Sequence, residues 1–212
     1  MYLSRIALDV SRRETMKALA QPNIFHGAVE NCFSGERERK LWRLDNFNNK
    51  LFLLMLSGDI PDLMKIQEQF GYKSDEDGWE VKNYINLLNR LETGQKWRFR
   101  LCANPVRSVI ENDGKRGKIY AHITMKHQKN WLLQRSEKHG FQLEYDQFTV
   151  TRNERIKFRK NADDSKKISL SMVDFEGILR ITDVSCFKQT LVNGVGRAKA
   201  YGCGLLTVAG IR

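Results

Sequence analysis

The chain has 212 residues, enough for one large or two small domains, and its 41% hydrophobic content is too high for a disordered protein. No run approaches the roughly 20 consecutive apolar residues that a membrane span requires. A formal net charge of +11, from 36 Lys and Arg against 25 Asp and Glu, calls for a polyanionic partner. Nucleic acid comes before lipid, because no terminal amphipathic helix gathers the cations.

The charge is also uneven. Residues 1–95 carry 13 basic and 14 acidic side chains, whereas residues 96–212 carry 23 and 11, a net +12. The start, MYLSRIALDV, lacks the features of a secretory signal, which sets a cytoplasmic expectation. Cysteines at 32, 102, 186 and 203 form no C-x-x-C pair and have apolar neighbours, the pattern of reduced, mostly buried thiols rather than of a zinc site.

In chain order, Leu3, Ile6 and Leu8 predict a first strand. SRRETMKALAQP reads as a short polar stretch. Pro22 is placed to open a helix whose apolar stripe is Ile24, Phe25, Ala28, Val29 and Phe33, ended by Gly35. KLWRLDNF and KLFLLMLSG predict two strands joined at Asn48-Asn49, the second apolar throughout from Leu51 to Leu56, as a central strand should be. Asp59-Ile60-Pro61 starts another helical pattern through Leu63, Ile66 and Phe70. One final strand would complete a ferredoxin-like unit. Composition shifts near 90–95, so the domains are set at 1–92 and 93–212.

The second half opens on QKWRFRLCANPVRSV, where Trp97, Phe99 and Leu101 alternate with Arg98, Arg100 and Cys102 as in a half-exposed strand interrupted at Pro105. DGKRGK at 113–118 is a basic turn, and MKHQKNWLLQRSEKHG is a helix ended by Gly140. FTVTRNERIKFRK and ISLSMVDFEGILRI predict a two-stranded ribbon with Arg155, Lys157 and Arg159 on one face, Ile156 and Phe158 on the other, and Lys160, Lys166 and Lys167 toward its tip. A last helix, a glycine-rich loop and the strand GLLTV follow. The fold class is therefore α+β, with two ferredoxin-like (RRM-like) domains in tandem.

RNA can be cut without a cofactor because its 2′-hydroxyl is an internal nucleophile that needs deprotonation, alignment and charge support at phosphorus. Histidine suits the proton step. Of His26, His122, His127 and His139, His26 is the strongest local candidate, near a helix start and beside Gly27; a partly packed surface histidine is the competing reading. His122 reads as structural, and His127 and His139 as phosphate contacts or solvated groups. No Walker loop, dinucleotide fingerprint, metallohydrolase histidine motif or placed carboxylate pair occurs, so neither metal nor cofactor is expected. The ribbon suits a nucleic-acid groove or backbone, the alternative being a solvated, charge-protected edge. GVGRAKAYGCGLL, with Gly196, Arg197 and Lys199, suits backbone phosphates, the alternative being a structural turn.

Taken together, MYLSRIALD, LAQPNIFHGAV, GERERKLWRLD, WRFRLCANPVRS, VDFEGILRITD and above all LVNGVGRAKAYGCGLLTV resemble the CasE family, the CRISPR precursor-RNA endoribonuclease of the Cascade complex. The resemblance implies two tandem ferredoxin-like domains and metal-independent cleavage at the base of a repeat hairpin. It also implies retention of the mature guide RNA among other Cascade subunits. It puts the catalytic histidine on His26 and stem binding on Lys126, Lys129 and Arg135 and on the basic ribbon. A non-cleaving subunit that binds the repeat hairpin is the alternative. This chain departs at Asn23 and Asn31, where some members have an assisting tyrosine and lysine; neither amide transfers protons. His26 is then expected to work with fewer proton-transfer partners, with cations such as Lys160, Arg197 or Lys199 aligning the phosphate.

Overall fold

A computed structural model describes residues 1–35, 38–73, 78–110, 117–159 and 167–211. The first half runs β1 (Tyr2–Leu8), α1 (Arg13–Ala20), α2 (Pro22–Asn31), β2 (Leu41–Phe47), β3 (Lys50–Ser57), α3 (Met64–Phe70) and β4 (Trp79–Asn83). Its sheet has the order β2-β3-β1-β4, antiparallel throughout, so the apolar β3 is central and Leu53, Met55 and Leu56 are buried. Asn48 and Asn49 take φ of 49° and 59°, the left-handed pair that closes a two-residue hairpin with matching twist.

Two expectations need correction. The stretch read as polar connection is helix α1, which escapes a periodicity search because its eight residues bury only Thr15 and Ala18. Tertiary bonds hold it. Thr15 donates to the Phe70 carbonyl at 3.2 Å, and the Arg12 guanidinium donates to the carbonyls of Gln67, Glu68 and Gly71 at the end of α3. Helix α3 begins at Met64 rather than near Pro61, after a turn tied by the Asp62 amide to the Cys32 carbonyl at 3.0 Å.

After a short α4 (Ile85–Leu88) that ends the first half, the second runs β5 (Lys96–Ala103), β6 (Val106–Val109), β7 (Lys118–Ala121), α5 (Met125–Ser136), β8 (Phe141–Gln142), β9 (Phe148–Phe158), β10 (Ile168–Ile181), α6 (Val184–Asn193) and β11 (Leu206–Ala209). The order β11-β5-β10-β8, with β9 also paired to β10, repeats the first sheet's arrangement, so the chain is two ferredoxin-like units in tandem. The hairpin β6–β7 is an insertion that Pro105 alone did not announce. Most of the basic turn, 113–116, and the ribbon tip, 160–166, lie outside the described residues; Lys160 and Lys166 fall there.

The halves share one apolar cluster, in which Leu41, Leu56, Tyr84 and Leu91 pack with Phe99, Leu101, Leu205 and Leu206. Strand β5 alternates as expected from Lys96 to Arg100, with Trp97 and Phe99 buried and Arg98 exposed, and departs from that pattern at Cys102, which is fully buried; Arg100 is drawn into ion pairs. Arg43, only 1% exposed, crosses this seam. It grips Asp45 at 2.7 and 2.8 Å and donates to the Arg100 carbonyl (2.8 Å), the Leu205 carbonyl (2.9 Å) and the Thr207 hydroxyl (2.9 Å).

Candidate functional site

Helix α2 starts with Pro22 at its first turn, where the missing N–H costs nothing. Phe25, Ala28 and Val29 turn inward, and Phe25 packs on Trp42 and Phe70 with ring centroids 5.9 and 5.1 Å apart. That burial puts His26 on the outer side, its side chain 30% exposed and Nδ1 4.0 Å from the Glu30 carboxylate one turn on. Lys40 stands 3.5 Å from the same carboxylate and 4.6 Å above the Phe33 ring. The imidazole is thus held by a carboxylate and remains reachable from solvent, the arrangement a proton-carrying group needs. Asn23 is partly buried one turn before it, and Asn31 is exposed at the helix end.

Helix α2 packs against a 3-10 turn, Lys199–Tyr201, of the glycine-rich segment. The segment comes this close because Gly202, at φ 82°, leaves room for the Trp42 ring, which a Cβ would meet at 2.8 Å. Lys199 donates to the Asn193 carbonyl at 2.7 Å, and burial, then nearby Arg39, push its pKa down. Arg39 and Lys40 had not been singled out; their only sequence signal was the basic run before β2. The Gly194 and Gly204 amides are already bonded, to the Thr190 and Cys102 carbonyls, so the exposed part of the segment is the stretch around Arg197.

The predicted stem-binding residues do not form one row on α5. At about 100° per residue, Lys126 and Arg135 fall on opposite sides of the helix. Lys126 is exposed. Lys129 is bound to the Tyr145 carbonyl and lies 3.8 and 4.8 Å above the Tyr145 and Phe148 rings. Arg135 lies 4.3 Å over the Trp131 ring, facing Arg197. On the ribbon, Arg155, Lys157 and Arg159 are all exposed, while Ile156 and Phe158 face inward. Phe158 meets Tyr201 edge-on at 5.0 Å, which fastens the ribbon to the same 199–201 turn that α2 touches.

Two concavities flank these parts. A cleft of about 760 Å³ between the sheets is lined by Trp42, Arg100, Arg152, Glu154, Asp174 and Glu176 among others. Its arginines are paired off: Arg152 lies 3.0 Å from Asp174, and Arg100 lies 3.4 Å from Asp174 and 3.2 Å from Glu176. A second, of about 430 Å³, has Arg107, His122, Arg135 and Arg197 in its lining and no acidic group among the described residues. His139 sits elsewhere, half-buried with Nδ1 3.0 Å from the Thr190 hydroxyl, and His127 belongs to the exposed Thr124 cap of α5. Among the described residues no group of three or more His, Cys, Asp or Glu has metal-ligand geometry, and no helix is long and apolar enough to cross a membrane.

A family model described as "CRISPR associated protein" matches residues 1–210. The CRISPR-associated endoribonuclease Cse3 of Thermus thermophilus is 29% identical over 99% of this chain and 100% of its own length. The CRISPR system Cascade subunit CasE of Escherichia coli is 32% identical over 57% of this chain and 61% of its own. A solved structure of the Thermus Cse3 bound to an RNA representing a pre-cleavage complex superimposes with a TM-score of 0.80 at 28% identity, covering 99% of this chain and 98% of that one.

Proposed function

From the chain's membership of the CRISPR-associated protein family that includes CasE and Cse3, we propose that it cuts CRISPR repeat precursor RNA and keeps the mature guide as a Cascade subunit. The chain is an endoribonuclease, and RNA and the other Cascade subunits are its partners. Cleavage is metal-independent and falls at the base of the repeat hairpin. The ribose 2′-oxygen attacks its own phosphorus, the bond to the 5′-oxygen breaks, and a proton passes from the nucleophile's side to the leaving oxygen. The products are a 2′,3′-cyclic phosphate and a 5′-hydroxyl, with no water consumed.

His26 is the proton-handling group. Supporting this, it lies outward on a helix whose inner face is locked by Phe25 and Val29, it is held near Glu30, and the helix abuts the Lys199 turn. Lys199, Arg197 and Arg39 supply positive charge for the phosphoryl oxygens. Lys126, Arg135 and the Arg155, Lys157 and Arg159 face take the RNA stem, with Lys160 as a further cation for it, and Lys129 shapes that surface from its aromatic seat. The exposed stretch from Gly196 approaches the backbone. The division at 92/93 is supported by two sheets drawn from residues 2–83 and 96–209. Four free thiols, three of them buried, suit a cytoplasmic setting.

The observation that carries the reading is an accessible imidazole on the helix that meets the basic second half. The test is single-turnover cleavage of a repeat RNA with EDTA present, comparing wild type with His26→Ala. The variant should lose at least about a hundredfold in rate while binding unchanged. Replacing the scissile 2′-hydroxyl by hydrogen should abolish the cut. An undiminished rate in His26→Ala removes the assignment, and intact RNA after wild-type incubation leaves a binding subunit.

A further inference from the structure

Residues 26 and 30 lie one turn apart on α2, so their side chains share a face of the helix. The Glu30 carboxylate divides its two oxygens. Oε1 stands 4.0 Å from His26 Nδ1, and Oε2 stands 3.5 Å from Lys40 Nζ. Lys40 immediately precedes β2, whose first residues Leu41 and Trp42 are drawn into the core. The lysine side chain follows them to 5% exposure, its ammonium between Glu30 and the face of the Phe33 ring, 4.6 Å away.

An exposed ion pair at helical spacing is worth little, because water screens it and both side chains stay mobile. Here the cation is nearly desolvated. It requires its counter-ion, and so it fixes where the carboxylate lies. His26 has to exist in both protonation states near neutral pH to pass a proton. A carboxylate beside the ring stabilises its charged form, and a cation on the same carboxylate offsets that. The amides at 23 and 31 transfer no protons, which leaves the balance to this one ring. The other charged side chains on elements packed against α2 are Arg13, Glu14 and Lys17 on α1, Lys65 and Glu68 on α3, and Lys199 on the 199–201 turn. Lys65 donates to the Asn31 carbonyl at 3.0 Å, and Arg39 lies near Lys199.

We propose that Glu30 is a positioning residue for cleavage, turning the His26 imidazole and stabilising its protonated form, and that Lys40 limits this effect by holding the other oxygen of the same carboxylate. It rests on the reading of His26 as the proton-handling group and adds two side chains that act only through the ring. The two have opposite signs: Glu30 favours the imidazolium, and Lys40 tempers that preference.

The test is an NMR titration of the full-length protein with labelled histidines, in which the resonance missing from His26→Ala identifies the ring. Glu30→Gln keeps the shape and removes the charge, so it should lower the His26 midpoint by about 0.5–1 unit. Lys40→Met should raise it. Single-turnover cleavage of a repeat RNA across the same pH range should give profiles displaced in the same two directions, with RNA affinity unchanged in Glu30→Gln. An unmoved midpoint in Glu30→Gln, a shift of the same sign in both variants, or a rate lowered equally at every pH overturns the proposal alone. Undiminished cleavage by His26→Ala overturns the assignment of His26, and the role of the pair in cleavage with it, whatever the midpoints do.

Discussion

His139 shows how one residue's surroundings decide its role. It follows the basic helix and could have been a solvated phosphate contact, yet it is half-buried with Nδ1 at 3.0 Å from the Thr190 hydroxyl. Burial, then Lys199 and Arg135, lower its pKa from 6.5, so the fold favours the neutral ring. The unfolded chain is then protonated first as the medium is acidified. The contribution of this residue is complete above about pH 6.5 and is lost as pH falls through the folded pKa. In urea unfolding measured from pH 7.5 to 5, His139→Gln should flatten part of the decline; His122, lowered in the same direction, supplies another part. An unchanged pH slope in His139→Gln would show that the ring titrates alike in both states.

At the scale of elements, the ribbon separates two functions on its two faces. Alternation along β9 sends Arg155, Lys157 and Arg159 to solvent and Ile156 and Phe158 inward. The inward face is an anchor: Ile156 packs on Cys102, Met172 and Cys203, and Phe158 on Tyr201. Phe158→Ala should therefore cost about 3 kcal/mol in denaturant unfolding. Lys157→Ala should leave stability within about 0.5 kcal/mol and lower the salt slope of RNA binding by about one. Equal effects of both substitutions on stability would contradict this division. Helix α5 lacks such a division, because spacing of three and nine residues spreads Lys126, Lys129 and Arg135 around its circumference.

For the whole molecule, the seam between the two units matters most. Arg43 is buried on β2, and its donors reach three acceptors of the second half while it grips Asp45. Around it, Leu41, Leu56 and Tyr84 merge with the second unit's apolar cluster. This seam sets where α2 lies against the 199–201 turn, hence where His26 stands relative to the basic half. Arg43→Ala removes the guanidinium from Asp45, to which Arg100 still stands 3.3 Å away, and from the buried Leu205 carbonyl. It should cost about 3–5 kcal/mol and reduce RNA cleavage more than RNA binding, since binding groups sit within the second unit. Thermal unfolding and single-turnover assays on the same variant check both statements. Unaltered stability would mean that the seam is hydrated.

Local signals made much of the architecture readable. The apolar run at 51–56, Asn48-Asn49, Pro22 and the alternation at 155–159 each act within a few residues, and each produced its element. His26 was legible on local grounds as an outward group near a helix start, and the ribbon's basic face from parity alone. Helix α1 and the ion pairing of Arg100 were not legible, because each depends on partners dozens of residues away, and Pro105 alone did not announce the hairpin β6–β7. Sequence alone determined which faces are apolar and which half is positive, since side-chain chemistry and backbone period are local properties. Tertiary structure decided which cations stand free and which are paired, because that depends on carboxylates and rings brought close only when the two sheets close on each other.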